Sequence, residues 1–159
     1  MPLNLLALLP FCFVAFQGSL LKPAAVQHVT IVASATPDTI GSGGKVTLAL
    51  DVTPDRNVHI YAPGAKDFVA TTLKLSAPAG VTAGRPVYPP SELILDPILN
   101  EKIPEYVKTF RITQSVSLST KAKAGDIVPL SAVLTYQACD DKMCFAPSEI
   151  SAQWLLKIR

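Results

Sequence analysis

The sequence contains few charged residues, and they are not clustered. Asp, Glu, Lys and Arg together make up only 16% of the 159 residues, and the formal net charge is +2. Lysines and arginines are scattered singly along the chain instead of forming a basic stripe. Because contacts with nucleic-acid phosphates require clustered cations, this composition argues against a nucleic-acid partner.

Motifs of common hydrolases and nucleotide-binding proteins are also missing. No Gly-x-Ser-x-Gly sequence occurs, so a serine nucleophile has no support. The run Gly41–Gly44 is followed by no Lys-Ser/Thr pair, and we interpret it as a turn rather than a phosphate loop. His28 and His59 are expected at the surface or within a strand rather than as catalysts. We expect solvation instead of catalysis for the carboxylates of a proline-rich stretch, which are Glu92, Asp96, Glu101 and Glu105.

Long apolar runs are absent beyond residue 25, so no later segment is expected to span a bilayer. Residues 3–16 have the length and apolarity of a signal-peptide core, and no charged side chain precedes Lys22. We therefore predict a signal peptide over residues 1–25 and a single domain over residues 26–159, exported to the periplasm or a similar compartment. If the leader is not cleaved, it would provide the membrane contact.

No segment after the leader has a helical period, and 14 prolines argue against helices. Apolar and polar residues instead alternate, most clearly over residues 46–52, 128–136 and 150–158, which predicts β-strands. Short strands separated by turn residues are typical of an antiparallel β-sandwich, so the predicted fold class is all-β. We place Trp154 in the core. The proline-rich stretch 84–104 is predicted to be a long ordered loop or an edge excursion.

Cysteine is scarce, with three in the chain, and Cys12 lies in the predicted leader. The exported domain therefore has one pair, Cys139 and Cys144, separated by four residues. The pair follows the alternating run 128–136 and precedes the run 150–158. A short connection between two strands can bring two sulfurs to bonding distance. We take this connection as the candidate functional site.

Residues 136–147, Tyr-Gln-Ala-Cys-Asp-Asp-Lys-Met-Cys-Phe-Ala-Pro, resemble the cysteine motif of the N-terminal periplasmic domain of the DsbD family of thiol:disulfide interchange proteins. The segments 57–64 (Asn-Val-His-Ile-Tyr-Ala-Pro-Gly) and 87–90 (Val-Tyr-Pro-Pro) are also similar to this family. The resemblance extends from about Val29 to Ile158. It implies an immunoglobulin-like sandwich that presents a cysteine pair.

The resemblance also implies roles for individual residues. Cys144 would form the mixed disulfide with a partner, and Cys139 would resolve it. Tyr61, with His59, would lie beside the cysteines. A cap loop within residues 93–105 would shield the pair, and its apolar candidates are Leu95, Ile98 and Leu99.

The partners implied by the resemblance are other redox proteins. A thioredoxin-like or DsbD-type donor would supply electrons, and exported thiol-disulfide proteins, including those of cytochrome c biogenesis, would accept them. The 159 residues include neither a polytopic membrane domain nor a thioredoxin-like domain, so we expect the donor to act in trans. No cofactor and no resident metal is implied.

Other functions of the pair stay open from the residues alone. A structural disulfide in a binding or assembly module is one, because exported cysteine pairs are usually oxidised. Closing so short a loop, however, stabilises a fold by only about 2 kcal/mol. A Cu(I) site is another, with Cys139, Met143, Cys144 and a histidine as soft ligands. Asp140 and Asp141 would raise the pKa of nearby thiols, which favours a passive shuttle over a self-activated nucleophile.

Overall fold

The computed structural model describes residues 26–96 and 99–159, and these form β-strands joined by turns, without a helix among them. In chain order the strands are β1 Val29–Thr36, β2 Thr39–Ile40, β3 Lys45–Pro54, β4 His59–Tyr61, β5 Thr72–Ser76, β6 Val81–Val87, β7 Glu92–Asp96, β8 Glu101–Tyr106, β9 Phe110–Leu118, β10 Ile127–Tyr136, β11 Ala138–Cys139 and β12 Ser148–Ile158. The all-β prediction is confirmed over these described residues.

Two four-stranded sheets form a sandwich. One has the strand order β1-β3-β9-β6 and the other the order β2-β12-β10-β5. The pairs are antiparallel except that β2 runs parallel to β12. Inward side chains of both sheets share one hydrophobic core, which includes Leu50, Ile112, Leu134 and Leu156. The fold is the predicted immunoglobulin-like antiparallel β-sandwich.

The alternation in the sequence explains how the sandwich strands are oriented. In β12 every second residue from 152 to 158 is buried and those between are exposed, because successive side chains of a strand point to opposite faces. β10 pairs with β12 over all of its residues. Trp154 is 5% exposed, and its indole Nε1 donates a hydrogen bond to the Ser34 carbonyl at 2.8 Å. Its predicted place in the core is confirmed.

A third sheet, with the order β11-β4-β8-β7, carries the candidate site, and we call it the site sheet. Its register places Cys139 opposite His59 and Tyr61 opposite Glu105. One face of this sheet contributes to the sandwich core. The other face forms a separate small cluster of buried residues, namely Tyr61, Ile103 and Cys139.

The proline-rich stretch 84–104 is more regular than predicted. It contains most of β6, all of β7 and part of β8, so the prediction of a long loop was wrong. β6 and β7 do lie at sheet edges, and Pro86 lies at a register shift of β6. β8 lies between β4 and β7. Pro104 has no N–H to donate within this strand, but its carbonyl accepts a hydrogen bond from Ala62 N at 2.9 Å.

The predicted signal peptide, residues 1–25, and the predicted cap residue Ile98 lie outside the described residues. In the part of the chain that the structure describes, no helix has the length and apolarity to cross a membrane. The domain boundaries therefore stay predictions.

Candidate functional site

Cys139 and Cys144 form a disulfide bond, with their Cα atoms 4.0 Å apart. Cys139 ends β11, whose two residues pair with β4. Cys144 makes an isolated antiparallel bridge with Cys139. The connection between β10 and β12 thus contains a short strand, which anchors one cysteine to the site sheet and leaves the other on a tight turn.

Asp140 closes the turn between the two cysteines. Its Oδ1 accepts hydrogen bonds from the backbone N–H groups of Lys142 and Met143, both at 2.8 Å, and its own N–H donates to the Met143 carbonyl at 3.0 Å. Side-chain bonds of this kind to the next residues are typical of aspartate in tight turns. The bonds from Lys142 and then Met143 lower the pKa of Asp140. A negative charge is therefore held beside the disulfide.

Gln137 holds the same loop in place through two side-chain hydrogen bonds. Its Nε2 donates to the Phe145 carbonyl at 3.2 Å, and its Oε1 accepts from the backbone N–H of Val69 at 3.1 Å. The Phe145 ring stacks on His28, with ring centroids 3.7 Å apart. The glutamine of the Tyr-Gln-x-Cys motif thus joins the far side of the cysteine loop to the segment that follows β4.

The two cysteines differ sharply in exposure. Cys139 is 1% exposed, whereas Cys144 is an exposed residue. The disulfide lies in an open cleft of about 660 Å³ that is lined by residues of β4, β7 and β8 and by the segment 139–144. A thiolate that enters this cleft from solvent therefore meets Cys144 before Cys139.

Tyr61 contacts both sulfurs. Its Oη lies 3.3 Å from Cys139 Sγ and 3.4 Å from Cys144 Sγ. Because the sulfurs of a disulfide carry no hydrogen, the tyrosine O–H is the donor. The residue is 3% exposed, and its ring stacks on Phe68 with centroids 4.0 Å apart. Burial, followed by the charge of Glu105, raises the pKa of Tyr61 to about 12, so the hydroxyl stays protonated at neutral pH.

A buried carboxyl group lines the same cleft. Glu105 is 6% exposed, so the solvation expected from the sequence was wrong for this residue. Burial, and then the charge of Asp96, raises the pKa of Glu105 to about 7. Its Oε2 lies 3.7 Å from His59 Nε2, and burial lowers the pKa of His59. Both shifts favour the uncharged forms, so this contact is not a salt bridge between two full charges at neutral pH.

Most of the predicted site residues that the structure describes lie at this cleft. Besides the cysteines, the lining includes His59, Tyr61 and Leu95. Leu99, a further predicted cap residue, is 50% exposed and lines a separate hollow of about 130 Å³. Of the described cap candidates, Leu95 is the one that reaches the cysteine cleft.

The neighbours of the site that sequence reasoning did not name as site residues include Phe68, Ile94 and Glu105. Phe68 comes from the segment between β4 and β5, where no periodicity marks it. Ile94 and Glu105 belong to strands of the stretch that was predicted as a loop. Glu105 could have been found from its spacing to Ile103. Residues two apart in a strand lie on the same face, so both side chains share a face once β8 is recognised as a strand.

The arrangement is suited to disulfide exchange. In the described part of the chain, no group of three or more His, Cys, Asp or Glu side chains is placed to hold a metal ion. The two sulfurs that a copper site would use, those of Cys139 and Cys144, are joined to each other. As it stands, the pair can react with an incoming thiolate at its exposed end.

Residues 27–154 match the family described as thiol:disulfide interchange protein DsbD, N-terminal. The chain belongs to this family. The matched range contains both cysteines and all of the site sheet, and the resemblance seen in the sequence is confirmed. No curated protein sequence matches the chain.

Solved structures of low sequence identity are similar to this DsbD N-terminal family member. The N-terminal periplasmic domain of ScsB from Proteus mirabilis is 18% identical with a TM-score of 0.50; the match covers 86% of this chain and 49% of the other, so the chain spans about half of that length. The DsbD N-terminal domain of Neisseria meningitidis in its reduced form is 16% identical, with a TM-score of 0.42 and coverages of 68% and 80%. BcpA, the major pilin subunit of Bacillus cereus, is 8% identical, with a TM-score of 0.51 and coverages of 82% and 40%. Since a pilin shares the sandwich, the fold alone does not determine function.

Proposed function

We propose that Cys139 and Cys144 form a redox-active pair that exchanges its disulfide with the thiols of partner proteins. The observation that supports this most directly is the contrast between the exposed Cys144 and the buried Cys139 at an open cleft. A disulfide that only staples two strands requires neither such a cleft nor a hydroxyl donor beside its sulfurs. The site is therefore interpreted as a reactive one.

Reduction of the pair begins when a partner thiolate attacks Cys144 Sγ. The S–S bond breaks, a new disulfide joins the partner to Cys144, and the electron pair leaves on Cys139 as a thiolate, which takes a proton from water. A second partner thiolate then attacks the partner's own sulfur in this mixed disulfide, and Cys144 leaves as a thiolate. Two electrons have passed from the partner dithiol to the cysteine pair.

The reduced pair passes these electrons on by the same steps in reverse order. Cys144 attacks the disulfide of an acceptor, and Cys139 resolves the mixed disulfide. The negative charge that Asp140 holds beside the pair disfavours thiolates there. This favours a shuttle whose disulfide is attacked by others over a nucleophile that activates itself.

We assign the donor role to a thioredoxin-like or DsbD-type dithiol and the acceptor role to exported thiol-disulfide proteins. Membership of the thiol:disulfide interchange family supports exchange with protein thiols in general. The matched ScsB domain is periplasmic, which supports the periplasm as the compartment. An oxidising compartment also suits a pair that returns to the disulfide after each cycle.

The reduction potential of the pair tests this function. The purified domain is equilibrated with glutathione or dithiothreitol buffers of known potential, and the reduced fraction is measured after thiol alkylation. A potential well above about −300 mV supports exchange, because structural disulfides of secreted proteins lie below that value. A lower potential, with slow reduction of the folded protein, would leave a structural staple in a binding or assembly module. A Cys139→Ala/Cys144→Ala variant controls for labelling of other side chains.

A further inference from the structure

Glu105 is a buried carboxyl group that the exchange steps above do not use. The β4–β8 register places it opposite Tyr61, whose hydroxyl contacts both sulfurs. Alternation along β8 directs Glu105 to the same face as Ile103, which packs with Cys139 in the small buried cluster. Glu105 also lines the cleft that contains the disulfide. The carboxyl therefore lies in the same cleft as the disulfide, opposite the tyrosine that contacts both sulfurs.

Among the described residues, no Lys or Arg side chain forms an ion pair with Glu105. Its closest basic neighbour is His59, at 3.7 Å, and burial lowers the pKa of that histidine. Burial and Asp96 raise the pKa of Glu105 itself to about 7. The ionisable groups around it in the cleft and across the strands are His59 and Tyr61 on β4, Glu92 and Asp96 on β7, and Asp140, Asp141 and Lys142 on the turn.

We propose that Glu105 is a positioning residue whose protonation permits Cys139 to leave, so that the carboxyl controls how fast the disulfide is reduced. When a partner thiolate attacks Cys144, the S–S bond breaks and its electron pair places a negative charge on the buried Cys139. A protonated Glu105 adds no opposing charge, and the thiolate then takes its proton from water in the cleft. An ionised Glu105 repels the new charge. This role rests on the proposed exchange function.

The test measures how fast dithiothreitol reduces the folded, oxidised protein between about pH 6 and about pH 8.5, a range that includes the Glu105 pKa of about 7. Each second-order rate constant is divided by the thiolate fraction of dithiothreitol, because only the thiolate attacks. The variant is Glu105→Gln, which keeps the size of the side chain but cannot ionise. The matched control is Glu101→Gln, which alters an exposed carboxylate on the same strand.

We expect the corrected rate constant of the wild type to fall about tenfold across this range, since a coupling of one pKa unit corresponds to a factor of about ten. Glu105→Gln should keep the faster, low-pH value throughout, and Glu101→Gln should follow the wild type. A flat wild-type profile, or an unchanged fall in Glu105→Gln, overturns the role of Glu105 and leaves the exchange function standing. If dithiothreitol does not reduce the folded wild type at all, the exchange function fails, and the role of Glu105 fails with it.

A second measurement on the wild type serves if Glu105→Gln does not fold. Coupling between two ionisable groups is reciprocal. If Glu105 and Cys139 interact, the titration curve of Glu105 therefore also changes at the pH where Cys139 ionises. The side-chain carboxyl resonance of Glu105 is followed by NMR against pH in the oxidised and the reduced protein. We expect the reduced protein to show a further step, absent from the oxidised protein, where Cys139 ionises. Identical curves in the two redox states overturn the proposal.

Discussion

The hydroxyl of Tyr61 donates a hydrogen bond to Cys139 Sγ over 3.3 Å, at the end of the disulfide that is hidden from solvent. Because burial raises the pKa of Tyr61 to about 12, this donor keeps its proton at neutral pH. A thiolate that forms on Cys139 would therefore find a hydrogen-bond donor already in place. Tyr61 links the packing of the site sheet to the chemistry of the disulfide.

Replacement of Tyr61 by Phe should raise the pKa of Cys139 in the reduced protein. Hydrogen bonds to charged groups are worth about 1.5–3 kcal/mol, so the loss of this donor corresponds to a rise of about one to two pKa units. The ring itself, and its stacking on Phe68, are retained. The measurement is the ultraviolet absorbance of the thiolate against pH, made in a Cys144→Ala background so that Cys139 alone titrates.

The control for that experiment is Tyr106→Phe. The Tyr106 ring is buried in the sandwich core, and its hydroxyl donates a hydrogen bond to the Pro89 carbonyl at 2.9 Å. The Tyr106→Phe variant therefore loses a hydrogen bond that does not involve the cysteines. We expect a loss of stability of about 1 kcal/mol and an unchanged Cys139 pKa. Equal Cys139 pKa values in wild type and Tyr61→Phe would contradict a role of Tyr61 in stabilising the thiolate.

The two single-cysteine variants should differ in reactivity. Cys139→Ala leaves the exposed Cys144, which should react readily with iodoacetamide and form a mixed disulfide with a thioredoxin-like protein. Cys144→Ala leaves Cys139, which is 1% exposed in the folded protein. Its reaction with iodoacetamide therefore requires local opening of the structure. Each 1.4 kcal/mol of opening free energy slows its reaction by a factor of about ten. Mass spectrometry follows both reactions, and similar rates in the folded state would refute the assignment of Cys144 as the attacked residue.

The strands of the sandwich could be predicted because one face of each is buried. Strand β12 has the clear alternation of the run 150–158, and β10 has that of 128–136. The two-residue strands β2 and β11 are too short to show a period. β8 was not predicted from the sequence, because Pro104 lies within it and proline argues against an inner strand. Its place depends on pairing with β4 and β7, which the local sequence does not encode.

The candidate site was predictable to a similar, partial degree. The cysteine spacing and the surrounding motif identified the pair, and the resemblance pointed to Tyr61 and His59. Glu105 could not be found in this way, since its burial follows from the register that sets it opposite Tyr61. Phe68 reaches the site by stacking from a segment without secondary structure. Contacts that depend on strand register or on the path of a loop have no signature in a single sequence.

Truncation of the predicted cap residue Leu95 should expose the disulfide further. Leu95 lines the cleft and is itself 55% exposed, so Leu95→Ala is expected to change the stability by no more than about 0.5 kcal/mol. The rate of reduction by dithiothreitol should rise several-fold, because a side chain at the entrance has been removed. Leu99→Ala is the matched control, since Leu99 is 50% exposed but lines the smaller hollow. Equal acceleration by both variants would argue against Leu95 as a cap.

Replacement of Glu105 by Gln should change how stability depends on pH. The pKa of Glu105 is about 7 in the folded protein, raised from 4.5 mainly by burial. A carboxyl with a raised pKa contributes stability that is fully present below the unfolded pKa, falls as the pH rises and is lost above the folded pKa. This difference between the pKa values of the unfolded and the folded state corresponds to about 3 kcal/mol.

Urea unfolding of the two proteins at several pH values measures this contribution. Near pH 4.5, the pKa of the unshifted carboxyl, wild type and Glu105→Gln should have similar free energies of unfolding. Well above the folded pKa of about 7, the variant should be more stable by up to about 3 kcal/mol, since its side chain has no charge to bury. His59, whose lowered pKa removes stability as the pH falls, contacts Glu105 at 3.7 Å, so both proteins are also compared in a His59→Gln background. A difference that does not change with pH would show that Glu105 is not held protonated by the fold.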